Sequence, residues 1–172
     1  MRYNASLTKL DDGATRAHLV RYFFARGFVS PGDTVMDAAC GTGYGSRLLA
    51  DVAETVCAVD QLENIKEEWQ QDNIMYLESD MNKKANYPEV DILVSLETLE
   101  HLETPEVFID MMKDRIKKFF IYSVPLNEEP GANPFHLQTF TKNSILALVE
   151  RTGMKHFHTL MQGNHYIGAM YR

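Results

Sequence analysis

The sequence predicts an α/β fold built around a parallel sheet, and three observations lead to that prediction. Strand-like and helix-like segments alternate from Thr34 onward, as in a chain of βα units. The nearly unbroken apolar run from Val90 to Leu96 has the composition of a central strand that is buried on both faces. The C-terminal segment alternates in polarity around Gly163, which predicts a closing antiparallel hairpin.

Each element follows from a local signal. A leading helix is predicted over 14–28, with Asp11, Asp12 and Gly13 as start signals and an apolar stripe that includes Val20. Thr104 and Thr141 are predicted N-caps, since a threonine hydroxyl can accept a hydrogen bond from a free amide of the first turn. The predicted strands are 34–38, 55–59, 74–78, 90–96, 119–124, 155–161 and 165–171, and the predicted helices after the first are 44–52, 62–70, 105–116 and 142–152.

Composition restricts the class of protein. A chain of 172 residues with 45% hydrophobic content and no linker-like segment predicts one domain over residues 1–172. The formal net charge of −7 argues against a nucleic-acid partner, because such proteins usually present a basic face. Two cysteines and the lack of a long apolar run predict a reduced, cytoplasmic protein with neither a membrane span nor a signal peptide.

The segment from Val35 to Tyr44 is an apolar strand that breaks into a glycine-bearing turn. Gly41 and Gly43 lack Cβ atoms, so the backbone can adopt positive φ there and bring its amides close to a nucleoside cofactor. A dinucleotide fingerprint would need a third glycine where Ser46 stands, so NAD binding ranks lower. The chain contains no phosphate-binding loop of the Gly-x-x-x-x-Gly-Lys-Ser/Thr type.

This turn resembles motif I of the class I S-adenosylmethionine-dependent methyltransferases, with Ala39 in place of the first glycine. The resemblance extends over most of the chain, because members of this class also end in an antiparallel hairpin. It implies a Rossmann-like seven-stranded sheet with strand order 3-2-1-4-5-7-6, strand 7 antiparallel, and helices on both faces. It also implies S-adenosylmethionine as the cofactor.

The resemblance assigns the cofactor-binding residues one by one. Asp60 ends the second strand, where a carboxylate can accept both ribose hydroxyl protons, and Gln61 follows it. Asp80 would accept a hydrogen bond from the adenine amino group while the amide of Met81 faces the ring. Asp37 would orient the turn and the methionyl amino group, and Leu96 and Tyr44 would form walls of the pocket. The full predicted cofactor-binding set is Asp37, Ala39, Gly41, Gly43, Asp60, Gln61, Asp80, Met81 and Leu96.

The segment after the fourth strand carries a second pattern. The spacing of Glu97, Glu100 and His101 resembles the Glu-x-x-Glu-His motif of a branch of O-methyltransferases acting on small molecules and RNA ribose. In the small-RNA 2′-O-methyltransferases of that branch these positions and a later histidine, here His136, bind a divalent ion. Carboxylates and imidazoles are suitable ligands for Mg²⁺ or Mn²⁺. The predicted catalytic residues are Glu97, His101 and His136, and the predicted metal ligands are Glu97, Glu100, His101 and His136.

Other interpretations of these acceptor-side residues stay open at this stage. His101 could act as a metal-free general base, and the two glutamates could be solvated residues with a structural role. The predicted function is transfer of a methyl group from S-adenosylmethionine to an oxygen or nitrogen of a small molecule. The alternatives are a metal-dependent RNA 2′-O-methyltransferase and a non-catalytic module that binds S-adenosylmethionine.

Overall fold

The computed structural model describes residues 13–61, 63 and 65–172, which form a seven-stranded sheet. The strand order is β3-β2-β1-β4-β5-β7-β6, and β7 runs antiparallel to both of its neighbours. The predicted fold class and strand order are confirmed. The strands are β1 (Thr34–Ala38), β2 (Thr55–Asp60), β3 (Ile74–Glu78), β4 (Val90–Leu96), β5 (Ile116–Pro125), β6 (Lys155–Gln162) and β7 (His165–Tyr171).

Helices cover both faces of this sheet, because alternate side chains of each buried strand point to opposite sides. The helices are α1 (Gly13–Arg26), α2 (Tyr44–Ala50), α3 (Pro105–Met112) and α4 (Lys142–Val149). Met36 of β1 packs in the core beneath α3 and α4, whereas its neighbour Val35 packs in the core beneath α1 and α2. Thr141 caps α4 as predicted, accepting a hydrogen bond from the amide of Ser144 at 3.1 Å.

Strand order determines where a ligand can bind. The chain leaves β1 toward β2 on one side and leaves β4 toward β5 on the other, while β1 and β4 pair with each other in parallel. The connections therefore diverge at the carboxyl ends of β1 and β4, which opens a crevice at that edge of the sheet. The glycine turn follows β1, and the segment from Glu97 to His101 follows β4.

The leading helix differs from its prediction in length and in its buried face. It ends at Arg26, and Val20, which was assigned to the buried stripe, is 45% exposed. The buried side chains are instead Leu19, Tyr22 and Ala25, together with the charged Arg21. The predicted start signals Asp11 and Asp12 lie outside the described residues.

The helix predicted over 62–70 is wrong. Among the described residues of this segment, the named element is a short 3-10 turn, Glu67–Trp69. The amide of Lys66 donates to the carbonyl of Thr42, and the carbonyl of Trp69 accepts from the Tyr76 hydroxyl. The first contact takes up the Lys66 amide, which a continuous α-helix over 62–70 would bond to a carbonyl of its own.

The third helix is also shorter than predicted, since it ends at Met112 and β5 begins at Ile116. A turn closed by the hydrogen bond from the Arg115 amide to the Met112 carbonyl separates the two elements. None of the described helices is long and apolar enough to cross a lipid bilayer.

Candidate active site

The glycine turn is anchored by the aspartate that ends β2. Ala39, Gly41 and Gly43 all have positive φ, at 58°, 60° and 92°. Asp60 accepts a hydrogen bond from the Gly41 amide at 2.8 Å through Oδ2 and one from the Gln61 amide at 2.7 Å through Oδ1. The predicted ribose-binding carboxylate is thus joined directly to the turn, so these two parts of the predicted cofactor site hold each other in place.

Asp37 lies beneath this turn and is fully buried. Its carboxylate accepts hydrogen bonds from the Ser46 hydroxyl at 2.6 Å and from the Tyr22 hydroxyl at 3.1 Å. Burial raises the pKa of Asp37 to about 7, although both hydroxyl donors oppose that rise. The side chain connects β1 with α1 and α2, and its contact with a methionyl amino group stays a prediction.

A cavity of about 1000 Å³ opens over the carboxyl ends of β1 and β4. This volume is at the upper end of the range for small-molecule sites. Apart from Asp37 and Gly43, all of the predicted cofactor-binding residues line it: Ala39, Gly41, Asp60, Gln61, Asp80, Met81 and Leu96. Asp80 accepts from the Asn82 amide at 3.0 Å, which with its neighbour Lys83 holds the pKa of the carboxyl below its usual value.

The other side of the same cavity is lined by the residues that follow β4. Glu97 adopts a left-handed backbone conformation with φ of 53°, which is uncommon for a residue other than glycine. Its amide donates to the Ser123 carbonyl at 3.0 Å, and its Oε1 accepts from the Ser123 hydroxyl at 2.7 Å. Ser123 therefore fixes both the main chain and the side chain of Glu97.

An arginine and a histidine complete the surroundings of Glu97. Its Oε2 lies 3.2 Å from Nη1 of Arg21 and 3.0 Å from Nε2 of His165. Burial alone would raise the pKa of Glu97, but His165, Arg21 and the Ser123 hydroxyl together hold that pKa below its usual value. The environment of Glu97 therefore favours its ionised form.

Glu100 lies in different surroundings. Its side chain is fully buried, and neither carboxylate oxygen has a hydrogen-bond partner among the described residues. Burial raises the pKa of Glu100 well above its usual value, and the charge of Glu97 adds to that rise. An unpartnered buried carboxylate is costly, so this group requires a proton or a cation.

A cation would find two further ligands beside Glu100. One ligand atom each from Glu100, His101 and His136 lies within 4.8 Å of the others. Adjacent ligands of octahedral Mg²⁺ are separated by roughly 3.0 Å and opposite ones by roughly 4.2 Å, so the group would have to contract by at most about 2 Å. The residues present fit a divalent ion, because carboxylate and imidazole are suitable donors and because the buried carboxylate oxygens of Glu100 have no hydrogen-bond partner among the described residues.

The histidine rings of this group are held from outside by other residues. Nδ1 of His101 donates to the Phe135 carbonyl at 2.8 Å, and no partner of its Nε2 is found in the described part of the chain. Partial burial of the ring lowers the pKa of His101, which keeps Nε2 available as a base or ligand. His136 pairs with Glu128 through Nδ1 and accepts a hydrogen bond from Asn133 at 2.8 Å through Nε2.

The predicted four-residue metal set needs one correction. Glu97 is not part of the compact group, because Arg21, His165 and Ser123 hold its carboxylate. The other three predicted ligands do lie together. The sequence analysis missed Arg21, Glu128 and His165, which also line the cavity. Arg21 carried one usable signal, a charged residue between the apolar Val20 and Tyr22 of a helix that packs on the sheet.

His18 is another lining residue that was missed. Its Nδ1 contacts the hydroxyl of Tyr44, and burial, followed by the nearby charge of Arg21, lowers the pKa of His18 to about 4. The imidazole is therefore neutral near pH 7. It contributes a polar but uncharged surface between the glycine turn and the acceptor side of the cavity.

Comparison with known proteins agrees with this architecture. Residues 36–118, just under half of the chain, match a family model described as a methyltransferase domain. A protein of Mycolicibacterium smegmatis named as a probable S-adenosylmethionine-dependent methyltransferase is 28% identical over 140 residues, covering 72% of this chain. The match covers 52% of that protein, so the chain spans about half the length of this curated relative.

Two solved structures illustrate the shared fold. The N-methyltransferase NodS of Bradyrhizobium japonicum with bound S-adenosyl-L-homocysteine has a TM-score of 0.78 at 11% identity, covering 95% of this chain and 89% of NodS. The magnesium protoporphyrin IX methyltransferase of Synechocystis with the same ligand has a TM-score of 0.72 at 17% identity, covering 94% and 88%. A partial sequence match and a shared fold thus both relate this chain to methyltransferases that use S-adenosylmethionine.

Proposed function

We propose that this methyltransferase domain transfers the methyl group of S-adenosylmethionine to an oxygen or nitrogen of a small molecule. One observation supports it above the others. The residues suited to the donor, Asp60 and Asp80, and the residues suited to chemistry on an acceptor, Glu97 and His101, line one continuous cavity. A donor and an acceptor bound together would be held for in-line attack, which removes much of the entropic barrier to methyl transfer.

On the donor side, Asp60 binds the ribose hydroxyls and Asp80 the adenine amino group, with the amide of Met81 facing the ring. The anchored glycine turn supports this assignment, because the hydrogen bond from the Gly41 amide places the Asp60 carboxylate beside the turn. Leu96 and Tyr44 are buried and supply apolar walls. Asp37 acts through Ser46 and the turn.

On the acceptor side, Nε2 of His101 takes the proton of the attacking hydroxyl or amine as general base. The hydrogen bond from Nδ1 to the Phe135 carbonyl supports this role, since it leaves the lone pair on Nε2. Glu97 stays ionised and orients the acceptor. In the metal-assisted form, a divalent ion would be held by Glu100, His101 and His136, and Nε2 of His101 would then be a ligand instead of the base. Such an ion lowers the pKa of a hydroxyl that binds to it.

The donor assignment is tested by calorimetric titration with S-adenosylhomocysteine. Asp60→Ala removes the ribose acceptor and the anchor of the glycine turn, so we expect affinity to fall by ten-fold or more, the loss typical for a hydrogen bond to a charged group (about 1.5–3 kcal/mol). Asp60→Asn is the matched control, because its amide oxygen can still accept from Gly41. We expect it to lose less than Asp60→Ala. Undiminished binding by Asp60→Ala would disprove the assignment.

A metal-dependent RNA 2′-O-methyltransferase is the second candidate, and the proximity of Glu100, His101 and His136 favours it. Methyl transfer to single-stranded RNA and to small hydroxyl or amine acceptors is compared with and without EDTA. Transfer to RNA that stops on chelation and returns with Mn²⁺ would support this candidate over the first. Tight binding of S-adenosylhomocysteine without turnover of any acceptor would instead indicate a non-catalytic module.

A further inference from the structure

The two histidines beside Glu100 share one arrangement of their hydrogen bonds. His101 donates from Nδ1 to the Phe135 carbonyl, and His136 pairs through Nδ1 with the Glu128 carboxylate. Histidines that bind metals usually donate one ring N–H to a carbonyl or carboxylate, which orients the other nitrogen toward the ion. Both rings therefore have the outer contacts that leave Nε2 for ligation.

The two Nε2 atoms nevertheless differ in their availability. Asn133 donates from Nδ2 to Nε2 of His136 at 2.8 Å, while its Oδ1 accepts from the Phe135 amide at 3.0 Å. The second contact fixes the orientation of the Asn133 amide, since a flipped amide would direct its NH₂ group at the Phe135 N–H. An ion that binds Nε2 of His136 must consequently displace Asn133.

Resting on the metal-assisted form of the proposed function, we propose that Glu128 and Asn133 set the affinity of the metal centre through His136 in opposite directions. Glu128 strengthens binding, because it holds the ring as the tautomer whose Nε2 can ligate. Asn133 weakens binding, because it occupies that nitrogen. Neither residue belongs to the Glu-x-x-Glu-His pattern, and both come from the loop that follows β5.

The geometry gives Glu128 a role that Glu97 cannot fill. Both are glutamates that line the cavity, but Glu97 is engaged by Arg21 and His165, whereas Glu128 forms a hydrogen bond with His136. The Glu128 side chain is partly buried, at 22% exposure, and that of His136 at 12%, which strengthens their hydrogen bond relative to one in bulk water. Glu128 is a positioning residue in this proposal, since it acts on the ion through His136.

The test measures Mn²⁺ affinity of the full chain by calorimetry and by electron paramagnetic resonance of free Mn²⁺, so it does not depend on finding the methyl acceptor. Glu128→Ala removes the acceptor of the His136 N–H, and we expect affinity to fall by about 10–100-fold, as is typical of such outer-shell changes. Glu128→Gln keeps an uncharged acceptor and should recover part of the loss. Glu129→Gln alters an exposed neighbour and should leave affinity unchanged.

Asn133→Ser tests the opposing contact. Serine can still accept from the Phe135 amide in a similar turn, but it is too short to reach the His136 ring, so the loop keeps its shape while Nε2 becomes free. We expect Mn²⁺ to bind at least three-fold more tightly. The matched control is Asn143→Ala, which removes an exposed asparagine of α4 and should not change affinity.

The outcomes separate this inference from the proposed function. If the parent protein binds Mn²⁺ but Glu128→Ala binds it equally well, or Asn133→Ser binds it no more tightly, the inference is overturned and the methyltransferase assignment stands. If the parent binds S-adenosylhomocysteine but no Mn²⁺, the metal centre and this inference both fail. If S-adenosylhomocysteine itself does not bind, the proposed function fails independently of the metal result.

Discussion

Because Asp37 is buried, the ionisation of its carboxyl makes the free energy of unfolding depend on pH. The pKa of its carboxyl in the folded protein is about 7, well above that of an exposed aspartate at about 3.9. Between these values the folded state retains a proton that the unfolded chain has released. The contribution of Asp37 to the free energy of unfolding therefore decreases as the pH rises from about 4 to about 7.

Asp37→Asn removes this titration and keeps an oxygen that accepts from Ser46 and Tyr22. We expect the variant to lose less stability than the parent between about pH 4 and pH 7, so that the difference between them grows in favour of the variant. Urea unfolding across that range measures the effect. Asp72→Asn, which changes an exposed carboxylate, is the control. Parallel pH profiles for parent and Asp37→Asn would contradict the raised pKa.

Ala39 is strained by the position that it occupies in the turn. A left-handed conformation costs a residue with a Cβ atom about 1–2 kcal/mol, and Ala39 adopts it with φ of 58°. Glycine would remove that strain at an entropic cost of about 0.5–1 kcal/mol. We expect Ala39→Gly to leave the free energy of unfolding unchanged or raise it by up to about 1.5 kcal/mol, as measured in urea.

The control for Ala39→Gly is its neighbour in the sequence. Ala38 ends β1 in extended conformation and is buried, so Ala38→Gly should lower the free energy of unfolding by at least about 0.5 kcal/mol. If the two variants are destabilised equally, the left-handed conformation of Ala39 does not strain the turn.

At the scale of elements, α1 and α2 pack so closely that a glycine is required between them. A Cβ built on Gly45 of α2 would lie 1.9 Å from Cζ of Tyr22 in α1. In an exposed helix the change to alanine stabilises by about 1 kcal/mol, but here it forces the ring to move, and overpacking costs typically about 1–3 kcal/mol. We expect Gly45→Ala to reduce the free energy of unfolding by that amount.

A double-mutant cycle separates the steric overlap from other effects of this change. In a Tyr22→Ala background the overlap is gone, so Gly45→Ala should become neutral or stabilising. Thermal or urea unfolding of the four proteins gives the coupling energy. An equal cost of Gly45→Ala in both backgrounds would mean that Tyr22 does not determine the requirement for glycine at this position.

The strands could be predicted from the sequence because hydrophobic side chains dominate both faces of a central parallel strand, as in β4. The irregular segments could not. The segment before β3 is held by single contacts of Lys66 with the glycine turn and of Trp69 with Tyr76, and no periodicity in the sequence encodes such contacts. The pattern around Glu97 likewise predicted that Glu100, His101 and His136 lie together, which they do. It did not predict that Arg21, a residue distant in the sequence, pairs with the Glu97 carboxylate.

At the scale of the whole molecule, two consecutive residues of α1 contact side chains at the carboxyl ends of both β1 and β4. Arg21 pairs with Glu97 after β4, and Tyr22 donates to Asp37 in β1. These two strands are the neighbours at which the chain connections diverge. The position of one helix is therefore tied to the residues proposed for the donor and to those proposed for the acceptor.

Binding of the proposed donor should stabilise the whole fold, because a ligand that binds only the folded state shifts the unfolding equilibrium. At a hundred-fold excess over the dissociation constant, the free energy of unfolding rises by about 2.7 kcal/mol. For a chain of this length each kcal/mol raises the Tm by about 2–4 °C. We therefore expect S-adenosylhomocysteine to raise the Tm by roughly 5–11 °C in differential scanning calorimetry, and NAD at the same concentration to leave it unchanged. A shift with NAD and none with S-adenosylhomocysteine would assign the glycine turn to a dinucleotide, despite Ser46 standing where that fingerprint requires glycine.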